Sequence, residues 1–153
     1  MLFSIDTSAL VDAWVRHYPP DVFPAVWSLM DSATRNGDIL AIDEVARELE
    51  RKDDDLLKWV KEREHMIVPI DADIQRRVVE IMSNHGRLVD SRKNRSGCDP
   101  WVIALAQERQ LTVVTAEKAS GNLVKPKIPD VCQVLGVPCI EVIELFRRQG
   151  WKL

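Results

Sequence analysis

Apolar residues recur along the chain in two rhythms, short unbroken runs and longer stretches at helical spacing. Leu2, Phe3 and Ile5 form a run that stops at Asp6, the pattern of a buried strand. Thr7 or Ser8 is then placed to cap a helix whose Leu10, Val11, Trp14 and Val15 share one face, with Pro19 and Pro20 ending it. A second helix is predicted over residues 21–36, with Val22, Val26, Leu29 and Met30 inward and Gly37 closing it. Ile39 to Ile42 read as a second strand, and Asp43 as the cap of a helix turning Val45 and Leu49 inward. The run Asp53–Asp55 caps a further helix carrying Leu56, Leu57, Trp59 and Val60. Met66 to Ile70 predict a short strand, and Asp71 opens a helix with Ile74, Val78, Ile81 and Met82 at core spacing. Residues 84–98 lack periodicity and read as a loop. Asp99 and Pro100 start an apolar helix, Leu111 to Val114 form a strand, and a helix near residues 130–135 follows. A strand over residues 137–140 and a helix over residues 141–149 complete the chain.

Strands thus alternate with helices, and the strands are apolar without alternation. That pattern predicts a three-layer α/β/α sandwich around a mainly parallel sheet of four to five short strands. The 153 residues suit one domain over the whole span, 1–153, with no internal repeat or linker. In such sheets ligands bind beyond the carboxyl ends of the strands, near the point where strand order reverses.

Composition narrows the chemistry. A 46% apolar share argues against wholesale disorder, and no apolar run approaches bilayer length. The N-terminus has no basic segment and carries an acid at position 6, so the expectation is a cytoplasmic protein without a signal peptide or membrane anchor. Cys98, Cys132 and Cys139 lack zinc-site spacing and read as small buried thiols. His17, His65 and His85 are scattered. Carboxylates are left as the metal-ligand candidates, and oxygen ligands select a hard cation. The net charge of −3 excludes bulk electrostatic binding of nucleic acid. One stretch runs the other way, with Arg87, Arg92, Lys93 and Arg95 set against Asp90 alone.

Asp6 follows the first strand, Asp99 opens a helix after a loop, and Glu117 lies three residues past Val114. All three fall where a parallel sheet presents its ligand-binding edge. Asp99 alone also suits a plain helix cap, whereas an acid directly after a buried strand is costly without a partner. Clustered carboxylates repel, and a divalent cation is the usual compensation. Glu44 and Glu48 are one turn apart; Glu48 borders the buried face and is preferred, with Glu44 as its neighbour.

These residues carry a resemblance. FSIDTSAL at residues 3–10, VAREL at 45–49, GCDPWVIALA at 97–106 and LTVVTAEK at 111–118 resemble, in order and spacing, the four motifs of PIN-domain ribonucleases. The segment KIPDVCQVLGVPCI, residues 127–140, is similar to a PIN-like group of bacterial proteins often associated with toxin–antitoxin pairs. The departure is Glu117, where the family more often has Asp.

The resemblance implies a metal-dependent endoribonuclease. Asp6, Glu48, Asp99 and Glu117 would hold one or two magnesium or manganese ions, and a metal-activated water would cleave the RNA phosphodiester. Thr7, Ser8 and Thr115 would orient waters or phosphate oxygens. Arg87, Arg92, Lys93, Arg95 and Lys118 would position RNA. An antitoxin partner and a homodimer are implied by the family alone. A different class remains open: a PIN fold with an impaired site acting as an RNA- or protein-binding module, an alternative that Glu117 sustains. A haloacid-dehalogenase phosphatase is disfavoured, since Ser8 stands where those enzymes carry a second Asp, and no Gly-rich phosphate loop is present.

Overall fold

The computed structural model describes residues 2–51, 54–88 and 99–153. Arg92, Lys93, Arg95, Cys98 and the capping residue Asp53 lie outside the described residues. The elements are β1 (Phe3–Ile5), α1 (Thr7–Val11), α2 (Pro24–Arg35), β2 (Ile39–Ile42), α3 (Asp43–Leu49), α4 (Asp54–Lys61), β3 (Ile67–Val68), α5 (Ala72–Asn84), α6 (Asp99–Arg109), β4 (Thr112–Val114), α7 (Ile128–Leu135), β5 (Cys139–Ile140) and α8 (Val142–Gln149). α1 runs directly into a π-helical turn, Asp12–His17.

The five strands lie in the order β3-β2-β1-β4-β5, and every pairing is parallel. β1 sets Phe3 beside Ile39 on one side and Thr112 on the other; Ile5 faces Val114. Successive side chains of a strand point to opposite faces, yet every residue of β1, β2 and β4 is buried. Both faces are therefore covered, as the unalternated apolar runs predict. From β1 the chain builds outward to β2 and β3, then returns to add β4 and β5 on the other side. The reversal falls between β1 and β4, so their carboxyl ends flank the crevice in which such sheets bind ligands.

α6 packs on β1, β2 and β4, and residues 102–106 are buried in succession, which explains why that stretch is apolar all round. Ser4, a buried polar residue within β1, donates its hydroxyl to the Val102 carbonyl at 3.0 Å. That bond satisfies an otherwise costly group and pins α6 against the strand.

Several boundaries differ from the sequence expectation. α2 starts at Pro24, three residues late, because proline is pre-organised for the first helical turn. Val22 is consequently outside the helix and exposed, while Trp27 and Ala33 take its place in the buried face with Val26 and Met30. The third strand shrinks to Ile67–Val68 behind a 3₁₀ turn, Glu64–Met66. Neither Thr7 nor Ser8 is the cap of α1, and Asp43 is the first residue of α3 rather than its cap. Asp71 does cap α5, accepting the Ile74 N–H at 2.8 Å.

Three tryptophans from distant segments meet in one packing unit. Trp14 lies 4.6 Å from Trp27, and Trp27 lies 5.1 Å from Trp59, both edge to face. Arg63 covers the outer face of Trp59 at 4.0 Å and bonds Asp31 at 2.7 Å. Trp151 packs on Phe146 at 5.3 Å. Among the described residues no helix is long and apolar enough to cross a membrane.

Candidate metal centre

Asp6 ends β1 in an extended conformation, and its N–H continues the ladder to the Val114 carbonyl at 2.8 Å. It occupies the position before α1, yet its side chain makes no cap. Instead Oδ2 accepts hydroxyl bonds from Ser8 at 2.5 Å and Thr115 at 2.9 Å. Each hydroxyl also accepts a backbone N–H: Ser8 from Ala116 at 3.1 Å, Thr115 from Glu117 at 3.1 Å. With N–H donors on their lone pairs, both hydroxyls have their protons left for Asp6. Ser8 and Thr115 are therefore part of one network around this carboxylate, built across the β1–β4 seam.

Asp99 arrives as the first residue of α6 and is 9% exposed; Asp6 is 2% exposed. Glu117 follows β4 and is half-buried. One carboxylate oxygen from each of Asp6, Asp99 and Glu117 lies within 4.8 Å of the other two. Glu48, on α3, lies outside this trio but close enough to Asp6 to push its pKa upward, and it accepts the Thr7 hydroxyl at 3.2 Å. Glu44 turns to Arg47, 3.7 Å away. Lys118 is exposed and paired with Glu141, and Arg87 is exposed in the 3₁₀ turn Gly86–Leu88.

Electrostatics mark Asp6 as the strained member. Burial pushes its pKa up to about 6, with further upward pressure from Glu117 and Glu48; the Ser8 and Thr115 hydrogen bonds oppose the shift. A carboxylate so placed gains from a cation held among the three acids. The donor set is oxygen only, which suits a hard divalent cation. The residues fit a divalent cation.

Beside the trio an open cavity of about 360 Å³ extends over Thr115, Glu117, Cys139 and Ile140 toward Glu144 and Arg147. Sequence reasoning missed two supports of the site. One is the anchoring of Glu117, whose Oε2 accepts the Ile128 N–H at 3.0 Å. The other is Asp130, which is 6% exposed and organises the segment before α7. An acid in the first turn of a helix was the available signal for Asp130, and it is common to many helices.

Residues 3–153 match the model of a family described as a domain of unknown function, DUF4411. No curated protein matches the sequence. Solved structures from several organisms share its fold. FitAcB from Neisseria gonorrhoeae aligns with a TM-score of 0.54 at 17% identity, over 91% of this chain and 96% of that one. VapBC2 from Rickettsia felis, bound to a DNA fragment from their promoter, aligns at 0.59 and 14%, over 92% and 98%. PAE2754 from Pyrobaculum aerophilum aligns at 0.54 and 12%, over 98% and 97%. At these identities the likeness establishes the fold, the PIN-like α/β arrangement.

Proposed function

We propose, for a chain that belongs to the DUF4411 family, that the acidic centre binds magnesium or manganese and hydrolyses phosphodiester bonds of RNA. The observation that supports this most is the convergence of Asp6, Asp99 and Glu117 at the strand-order reversal of a parallel sheet. When bound, a divalent cation supplies a nucleophile from water at neutral pH and offsets charge on the phosphate.

The chain's own residues divide the remaining work. Asp6, Asp99 and Glu117 hold the ion, with Glu48 close to Asp6 and kept in place by Thr7. Ser8 and Thr115 direct their protons to Oδ2 of Asp6 and so fix its rotamer. Lys118 and Arg87, with the basic stretch 92–95, contact the RNA backbone and set its register rather than read its sequence. Lys118 must exchange Glu141 for phosphate, a small cost because the pair is exposed.

An antitoxin partner and a homodimer belong to the same reading. The Rickettsia felis VapBC2 structure is bound to DNA of its own promoter, and a toxin–antitoxin role for this chain, in the cytoplasm, is part of what we propose.

Melting temperature with and without manganese tests the metal. Ligand at 100 times its Kd adds about 2.7 kcal/mol of stability. An upward shift for the wild type that disappears in Asp6→Asn, Asp99→Asn is the expected result. No shift at millimolar manganese favours a binding module that lacks the metal.

A further inference from the structure

The segment between β4 and α7 is held at both ends by carboxylates. Asp130, in the first turn of α7, receives four donors. Its Oδ2 accepts the Ser120 N–H at 2.9 Å, the Ser120 hydroxyl at 2.8 Å and the Lys127 N–H at 2.8 Å, and its Oδ1 accepts the Gly121 N–H at 2.9 Å. The next amide along, Ile128 N–H, goes to Oε2 of Glu117. Two successive backbone amides at the start of α7 are therefore shared between two acids. One acid is buried in the first turn of α7, and the other reaches into the metal centre.

The two amides are adjacent in the chain, separated only by φ and ψ of Lys127, so their bonds are coupled. Fixing the Lys127 N–H on Asp130 and folding residues 120–127 around the same carboxylate leaves the following amide little freedom. The amide of Ile128 then meets Glu117 at a helix N-terminus, where a negative charge is stabilised. The length of Glu117 acquires a purpose here. Its carboxylate spans from the end of β4 to α7 while still offering an oxygen within 4.8 Å of Asp6 and Asp99.

We propose that Asp130 is a positioning residue for the metal centre: by fixing residues 120–127 it aims the Ile128 amide that holds Glu117 against Asp6 and Asp99. The proposal rests on the metal reading of the site. Groups that orient metal ligands typically change affinity by ~10–100-fold when removed.

The test is a double-mutant cycle on manganese affinity, using wild type, Asp130→Asn, Glu117→Gln and the double variant, with amide exchange of Ile128 followed in parallel without metal. Asp130→Asn is expected to weaken manganese by about tenfold or more and to speed Ile128 exchange. The double variant should bind no more weakly than Glu117→Gln alone, because Asp130 acts through Glu117. If Asp130→Asn merely lowers the melting temperature and leaves manganese affinity unchanged, Asp130 is a helix cap and the proposal is overturned. Effects that multiply in the double variant also overturn it.

Should the wild type bind no manganese, the metal reading fails. The exchange data then decide the link between the two acids: matching acceleration in both single variants upholds it, and an unchanged Ile128 amide in Asp130→Asn refutes it. Should Asp130→Asn not fold, Asp130→Glu, which keeps a carboxylate in the first turn, is read by the same two measurements. Intermediate losses are then expected, and wild-type manganese affinity with wild-type Ile128 protection in Asp130→Glu contradicts the coupling.

Discussion

Replacing Asp6 by Asn is expected to stabilise the metal-free protein while abolishing its response to manganese. The carboxyl is buried, and its pKa is raised from 3.8 to about 6, foremost by burial and then by Glu117 and Glu48. A shift of ~2 units at ~1.4 kcal/mol each makes an ionised Asp6 cost the metal-free fold about 3 kcal/mol at neutral pH. The sign follows from proton binding. A folded-state pKa above the unfolded value gives a contribution that is complete below about pH 4 and lost as pH rises through about 6. Asn keeps an oxygen for Ser8 and Thr115 but brings an amide that needs a partner, a cost of roughly 1 kcal/mol or more. The net gain is about 1–2 kcal/mol near pH 7.5, or roughly 2–8 °C in Tm for a chain of this length. Thermal melts in chelator between about pH 4 and 7.5 read it directly. The advantage of Asp6→Asn should vanish near pH 5 and turn into a destabilisation of roughly 0.5–1 kcal/mol near pH 4, where the amide cost outweighs what is left of the ionisation penalty. Destabilisation of similar size at every pH would refute the reasoning, because Asp6 would then be a compensated structural acid.

Manganese affinity should fall as pH drops through about 6, since Asp6 must lose its proton to bind; calorimetry in buffers of different ionisation enthalpy should show proton release on binding. Glu48→Gln should weaken manganese binding, as Glu48 lies close enough to Asp6 to raise its pKa, whereas Glu44→Gln should leave it unchanged because Glu44 faces Arg47. Arg63→Ala removes the bond to Asp31, the bond to the Trp59 carbonyl and the stacking over Trp59. It should cost about 1–3 kcal/mol in urea unfolding without altering manganese affinity.

Local periodicity made much of this architecture legible. The buried runs at residues 3–5, 39–42 and 112–114 are strands of a parallel sheet, helical spacing located α5, and the Asp99–Pro100 start located α6. Boundaries failed where a local rule had a rival. Thr7 and Ser8 are good capping residues, yet Thr7 is spent on Glu48 and Ser8 on Asp6. Their partners are set by how α3 and β4 pack, which spacing does not reveal. The same holds for Thr115, which meets Asp6 across 109 positions of sequence. Asp6 and Asp99 were legible as strand end and helix start, and the structure draws them together with Glu117. Glu117 stands where the resembled family more often has Asp; its anchor on Ile128, eleven residues on, depends on the fold of the intervening loop. Arg92, Lys93 and Arg95 lie outside the described residues, so the proposal that they contact RNA stands on the sequence pattern.

The central claim is metal-dependent RNA cleavage at the Asp6, Asp99 and Glu117 centre. Cleavage of a single-stranded RNA by the wild type and by the Asp6→Asn, Asp99→Asn double variant, each titrated with manganese, tests it most directly. The account predicts cleavage that rises with manganese in the wild type and is abolished in the double variant. Manganese-dependent cleavage retained by the double variant would contradict it.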